Sequence, residues 1–230
     1  MSPLPVPAWS ASSPEFRLTP GEIHVWRADL DLPPAALAEC RETLNAAERA
    51  RADRLLRAED RLRFTAARGL LRGLLGWYLQ APPDRLEFSY RERGKPFLAG
   101  VFPGPIPRFS LSHSREQALF AFALDRELGV DVEGIREEVD GPAILRRYFH
   151  PKEFARLEGL TEAQGRREFF RLWTRKEAWL KARGEGLSEM DRLPEEDPRF
   201  RVVELDLGEA QAAALAYEDG EARLRLFRWV

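Results

Sequence analysis

The sequence predicts a mixed α/β (α+β) fold built from two similar halves, and three observations lead there. Short runs of alternating apolar residues, the mark of half-buried strands, are punctuated by Gly, Pro and charged residues. Two stretches keep a helical apolar spacing for much longer: Ala35 to Leu79, with a break or two, and roughly 164 to 183. Along the chain the order strand, helices, long helix, three strands is stated twice, with a boundary near Arg126. The duplication is one of architecture, since the halves share little sequence. The expected organisation is a loose tail over 1–20, one lobe over 21–126 and a second over 127–230.

Residues 1 to 14 are rich in Pro and Ser, with neither a basic start nor an apolar run, and predict a loose tail and not a signal peptide. Glu22 to Leu30 reads as a strand that ends at Asp31, and Pro33-Pro34 suit a helix start. In the helical region that follows, Arg49, Arg51, Arg54, Arg57, Arg61, Arg63, Arg68 and Arg72 set eight arginines against the four acids Glu48, Asp53, Glu59 and Asp60. Such a run is either a solvated face or a local anion site. Pro82-Pro83 end the helix, and Leu86 to Tyr90 is a short strand. Arg91 to Leu98 reads as a turn in which Gly94 allows a tight bend and Lys95 is held extended before Pro96. A Pro/Gly loop covers 99 to 107.

Phe109 to Ser114 and Ala118 to Leu124 form a hairpin around Arg115-Glu116-Gln117. Ser112 and Ser114 share one strand face and His113 the other, where a lone histidine is either a structural hydrogen-bonder or a ligand contact. In Leu128 to Glu133 the valines Val130 and Val132 face one way, Asp131 and Glu133 the other. Two carboxylates on one strand face repel each other unless they are solvated or share a cation. Helical segments are expected at about 141 to 149 and 151 to 158, then the long helix ending at Gly184 and Gly186. Phe200 to Leu207, Ala212 to Tyr217 and Ala222 to Trp229 read as three closing strands.

The long helix carries the oddest pattern. On a wheel of about 100° per residue, Phe169, Leu172, Trp173, Trp179 and Leu180 form an apolar arc, with Arg171, Thr174, Arg175 and Ala178 opposite. Lys176 falls in the middle of that arc, Glu177 between Trp173 and Phe170, and Lys181 one turn beyond Glu177 on the same face. An i, i+4 pair of Glu177 with Lys181 would stabilise an exposed helix by a few tenths of a kcal/mol, about 0.3. It leaves Lys176 without a partner and the charges beside aromatic rings, where desolvation is costly. The other reading is a carboxylate and ammonium groups lining a pocket floor.

With 44% hydrophobic and 32% charged residues, a net charge of -2 and a pI near 6.1, the chain has the composition of an ordinary globular protein with no global pull toward nucleic acid or an anionic membrane. Cys40 is the single cysteine, so no intramolecular disulfide or cysteine-rich zinc site can form, in keeping with a reducing compartment. His24, His113 and His150 are too scattered for a histidine-based metal motif. No apolar run reaches the roughly 18 residues of a membrane span. The expected location is the cytoplasm.

Four stretches together resemble the 4'-phosphopantetheinyl transferases of the large, two-lobed class typified by surfactin synthetase activators. They are Gly94-Lys95-Pro96, Phe109-Ser-Leu-Ser-His-Ser114, Gly129-Val-Asp-Val-Glu133, and Phe170-Arg-Leu-Trp-Thr-Arg-Lys-Glu-Ala-Trp-Leu-Lys181 followed by Gly184-Glu-Gly-Leu187. Each is short, but the four stand in the family's order and approximate spacing. The resemblance implies two similar lobes about a pseudo-twofold axis with the site in the cleft between them. It implies transfer of the phosphopantetheine arm of coenzyme A to a serine of an apo acyl or peptidyl carrier protein, releasing adenosine 3',5'-bisphosphate, by a monomer with Mg2+ as cofactor.

By the same resemblance Asp131, Glu133 and Glu177 are the Mg2+ ligands, an oxygen set suited to a hard cation. Glu177 takes the proton of the serine hydroxyl and Lys181 neutralises the leaving phosphate. Lys95, Ser112, His113, Lys176 and Lys181 match positions that hold coenzyme A. Arg49, Arg51 and Arg63 align with the basic residues at its 3'-phosphate, although the family often has lysines or other spacings there. Two other classes compete: a nucleic-acid-binding module using the arginine face, whose binding would fall with salt and ignore Mg2+, and another Mg2+-dependent phosphotransferase. For the latter the sequence has neither a Gly-x4-Gly-Lys-Ser/Thr loop nor a kinase motif set.

Overall fold

The chain forms four layers, helix, sheet, sheet, helix. The computed structural model describes residues 17–137, 148–186, 189 and 191–229. The order is β1 (Glu22–Asp29), α1 (Pro34–Thr43), α2 (Ala46–Asp53), α3 (Ala58–Leu79), β2 (Glu87–Tyr90), β3 (Pro96–Ala99), β4 (Arg108–Ser114), β5 (Gln117–Ala123) and β6 (Leu128–Gly134). Then come the one-turn α4 (Pro151–Phe154), α5 (Glu162–Arg183), β7 (Phe200–Glu204), β8 (Gln211–Glu218) and β9 (Arg223–Arg228). One sheet runs β4-β5-β1-β9 and another β6-β8-β7, with β2 and β3 as a separate hairpin.

Alternation on the strands builds the layers. On β1 and β5, Trp26, Ala28, Ala118, Phe120 and Phe122 pack against Leu70, Leu71, Leu74 and Leu75 of α3. Ile23, Val25, Leu119 and Ala121 turn the other way and meet Leu128, Val130 and Val132 of β6 and Leu215 and Tyr217 of β8. The remaining face of β8, Ala214 and Ala216, packs on Ala178, Trp179 and Ala182 of α5. Because Val130 and Val132 are spent on the core between the sheets, Asp131 and Glu133 are delivered to the α5 side.

The closing strand departs from sequence order. A boundary near Arg126 places Ala222 to Trp229 in the second lobe of 127–230, yet β9 lies parallel to β1, with Ile23 opposite Leu224 and Val25 opposite Leu226. Its Leu224 and Leu226 join the core between the sheets, and Phe227 packs against Trp26 and His24 on the α3 side. A strand with apolar residues for both faces is best buried in the four-stranded sheet, which is buried on both. Pro96–Ala99 is a strand paired with β2, where a turn was expected to run on to Leu98. The helix expected over 141 to 149 lies mostly outside the described residues, as do the loose tail up to residue 16 and Leu187.

The arginine run is largely consumed by the fold. Arg68 and Arg72 are buried on the carboxylate of Glu48, and Arg72 also donates to the carbonyls of Pro83 and Leu86. Arg61 caps the carbonyls of Leu55 and Leu56, and Arg63 is paired with Asp31 at 2.9 Å. Arg49, Arg51, Arg54 and Arg57 stay exposed. Of the eight arginines, four are thus tied to the protein and four are left to solvent.

Helix α5 begins with a capping box in which Thr161 accepts from the Gln164 amide and the Gln164 side chain accepts from the Thr161 amide. It ends at Gly184, whose φ of 71° is the left-handed conformation a side chain resists. Thr161→Ala should cost about 1 kcal/mol in urea denaturation, with turnover unchanged because the cap lies at the end of the helix away from Glu177. The expected polar face of α5 is not solvated: Thr174 and Ala178 are fully buried, since the helix is covered by β6 and β8 on one side and by aromatic residues on the other.

Candidate active site between β4, β6 and α5

Gly129 sets the geometry. A Cβ there would overlap the Ala178 carbonyl oxygen and the Ala182 amide nitrogen, so only glycine lets β6 lie directly on the backbone of α5. That close approach brings Lys181 to Asp131, Nζ to Oδ1 at 2.6 Å, with further donations to Ser112 Oγ at 3.1 Å and the Val130 carbonyl at 3.4 Å. Lys181 has no ion pair with Glu177, so the i, i+4 helix-stabilising pair is not formed. Asp131 is buried, and its Oδ1 also accepts from Ser112 Oγ at 2.7 Å. Glu133 accepts from Ser114 Oγ at 2.8 Å.

The acidic side chains are short of positive charge. Burial raises the pKa of Glu177, and the charges of Asp131 and Glu133 raise it further against the lowering effect of Lys181. Burial likewise raises Glu133, opposed by the Ser114 hydrogen bond and reinforced by Asp131. Glu177 makes no hydrogen bond or ion pair with any described residue. Asp131 Oδ2 is buried without a hydrogen-bond partner among the described residues, and an orphaned carboxylate oxygen in such surroundings fits a hard divalent cation. Among the described residues no three acidic or histidine side chains are gathered closely enough to hold an ion as they stand.

Beside this cluster a cavity of about 230 Å³ is lined by Arg93, Gly94, Lys95, Ser110, Lys181 and Gly184, among others. Lys95 reaches it from the β2–β3 turn with Nζ donating to Glu127 at 3.1 Å and to the Leu128 carbonyl at 3.0 Å. Burial lowers its pKa, and Glu127 counteracts that. His113 points to the α3 side of β4, open to solvent yet hemmed in by protein, and that burial, with Lys181 second, lowers its pKa.

The other expected contacts lie apart. Lys176 is fully buried on the far side of α5, paired with Glu153 at 2.8 Å and donating to the Arg192 carbonyl at 2.8 Å, over the ring of Phe149. One residue of helix turns the side chain by about 100°, so Lys176 cannot share the face of Glu177, and its ammonium is spent on the fold. Arg49 and Arg51 are exposed on α2, Arg51 over Phe64 at 5.4 Å, and Arg63 is held by Asp31. Sequence reasoning missed Ser110, Ser114, Glu127 and Glu153. The alternation of Ser110, Ser112 and Ser114 was the available signal for two of them; Glu127 and Glu153 carry none.

A family model of the 4'-phosphopantetheinyl transferase superfamily matches residues 127–229, from β6 to β9. The 4'-phosphopantetheinyl transferase HetI of Nostoc sp. is 40% identical over 185 residues, spanning 80% of this chain and 78% of its own. The chain belongs to the 4'-phosphopantetheinyl transferase superfamily. Similar to it as well are the 4'-phosphopantetheinyl transferase gsp of Aneurinibacillus migulanus, 31% identical over 58% of this chain and 53% of its own, and the L-aminoadipate-semialdehyde dehydrogenase-phosphopantetheinyl transferase of Xenopus laevis, 29% identical over 64% and 52%. As a member of this superfamily the chain is an enzyme, a phosphopantetheinyl transferase with a mixed α+β architecture.

Proposed function

We propose that this phosphopantetheinyl transferase moves the 4'-phosphopantetheine group of coenzyme A to a serine hydroxyl of an apo acyl or peptidyl carrier protein, releasing adenosine 3',5'-bisphosphate, with Mg2+ as cofactor. The observation that carries the reading is Glu177: a half-buried carboxylate with raised pKa and no hydrogen bond to any described residue, subject to the charges of Asp131, Glu133 and the Lys181 ammonium. A carboxylate kept unpaired and basic is suited to accept a proton. The names of HetI and gsp support the transferred group.

In this proposal Asp131, Glu133 and Glu177 hold the cation, which when bound offsets the negative charge of the pyrophosphate. Glu177 takes the proton of the incoming serine hydroxyl. The serine oxygen forms its bond to phosphorus as the bond from phosphorus to the oxygen of the leaving adenosine bisphosphate breaks. Lys181 offsets the charge left on that oxygen. Ser112 orients Lys181 and Asp131 toward each other, and Lys95 and His113 bind phosphate from opposite sides of β4. Lys176 is left out of the coenzyme contacts because burial on Glu153 keeps it from any ligand. No described helix is long and apolar enough to cross a membrane; the proposal is for a cytoplasmic monomer with neither nucleic acid nor membrane as partner.

The test is to incubate the protein with coenzyme A, Mg2+ and several apo carrier proteins and weigh the carriers by mass spectrometry. A gain equal to phosphopantetheine on the serine supports the proposal, and unchanged masses for every carrier end it. Lys95→Ala should weaken coenzyme A binding about tenfold, roughly the worth of one charge-assisted phosphate contact. Arg49→Ala and Arg51→Ala should weaken coenzyme A but leave dephospho-coenzyme A untouched in calorimetric titrations. Arg63→Ala should do less, because its guanidinium must first leave Asp31. Equal sensitivity of both ligands would misplace the 3'-phosphate.

A further inference from the structure

We propose that Ser114 is a positioning residue that fixes the carboxylate of Glu133 for cation binding, through a row of serine side chains that ties β4 to β6. The inference rests on the assignment of Asp131, Glu133 and Glu177 as cation ligands. Strand β6 pairs with β8 on one edge only, and its other edge faces β4. Backbone amides on that edge need acceptors. The alternate residues of β4 supply them: Ser110 Oγ accepts from the Val130 amide at 3.1 Å and Ser114 Oγ from the Gly134 amide at 3.2 Å.

The two outer serines differ in what they do with their proton. Among the described residues the hydrogen-bond partner of Ser110 Oγ is the Val130 amide of the β6 backbone. Ser114 accepts from Gly134 and donates to Glu133 Oε2 at 2.8 Å, so its hydroxyl links the strand backbone to a carboxylate on that strand. A hydroxyl with both roles filled has one orientation, and it holds one oxygen of Glu133 in place. Among the described residues the cation paired with Glu133 is Arg136 at 4.0 Å, which is half exposed and holds it far less firmly. Outer partners that orient a cation's ligands commonly govern affinity by about ten- to a hundredfold.

The experiment is a titration of Mn2+ into the full chain with saturating coenzyme A, followed by electron paramagnetic resonance of the free ion, for wild type, Ser114→Ala, Ser114→Thr, Ser110→Ala and Glu133→Gln. Ser114→Ala is expected to weaken Mn2+ binding about tenfold or more, and Ser114→Thr, which keeps the hydroxyl, to restore it. Ser110→Ala removes a tie between the strands without touching a carboxylate, so it should lower the melting temperature and leave Mn2+ affinity within about twofold of wild type. In steady-state assays Ser114→Ala should lower kcat at fixed Mg2+ with KM for coenzyme A little changed. A Ser114→Ala isotherm that superimposes on wild type while Glu133→Gln loses binding overturns the inference alone, as does equal weakening by Ser110→Ala. A Glu133→Gln isotherm identical to wild type overturns the ligand assignment itself, and the inference with it.

Discussion

Glu177→Gln is expected to lower the rate of transfer at least about a hundredfold, the usual scale for loss of a general base or a metal ligand, with coenzyme A binding little changed. Glutamine keeps the size and one oxygen of the side chain but accepts no proton near neutral pH. The structure also gives the sign of the stability change. The pKa of Glu177 is raised in the folded chain, so the folded state holds its proton more readily than the unfolded one, and ionising it above its ordinary value of 4.5 costs folding energy. Removing the charge should leave the melting temperature at neutral pH unchanged or slightly higher. A helix-stabilising pair with Lys181 demands the opposite, a small fall in melting temperature with turnover near normal, and Lys181 is bound to Asp131 instead. Turnover and melting temperature measured on one preparation decide the matter; near-normal turnover would remove Glu177 from the chemistry.

Gly129→Ala is expected to cost about 4 kcal/mol or more, at the upper end for single substitutions, and to abolish transfer. The added Cβ would overlap the Ala178 carbonyl oxygen and the Ala182 amide nitrogen, backbone atoms of a helix buried on both sides, and would come within 2.8 Å of Lys181 Cβ. No side chain can swing away to make room, so β6 and α5 must separate. Separation by even about 1 Å breaks the Lys181 bond to Asp131, since hydrogen bonds weaken quickly with distance. Chemical denaturation and transfer assays on the same variant check both parts. Wild-type stability with wild-type turnover would show that the contact of β6 with α5 is looser than the structure has it.

The two substitutions separate what the amino-acid order determines locally from what depends on packing. The carboxylates on one face of 128–133, the shared face of Ser112 and Ser114 and the single long helix of 164–183 were legible because strand period two and helix period 3.6 are local properties of the backbone. So was the family, since its motifs are contiguous in sequence. Which groups share a site was not. Lys176 and Glu177 are neighbours in sequence, yet one ends in a buried pair with Glu153 and the other lies within the electrostatic reach of Lys181, Asp131 and Glu133, a division set by which layer covers each side of α5. Likewise Arg68 and Arg72 read as part of a basic run, but burial of Glu48 beneath α3 claims both.

By itself, then, the sequence determined the α+β class, the strand and helix faces and the acidic and basic residues available for chemistry. Only the tertiary structure decided that Lys181 pairs with Asp131 and not Glu177, that β9 closes against β1, and that Ser110 and Ser114 tie β4 to β6. The physical reason is range: backbone periodicity acts over a few residues, whereas these pairings join groups 20 to 201 positions apart, and they form only when burial of the apolar faces brings the layers together.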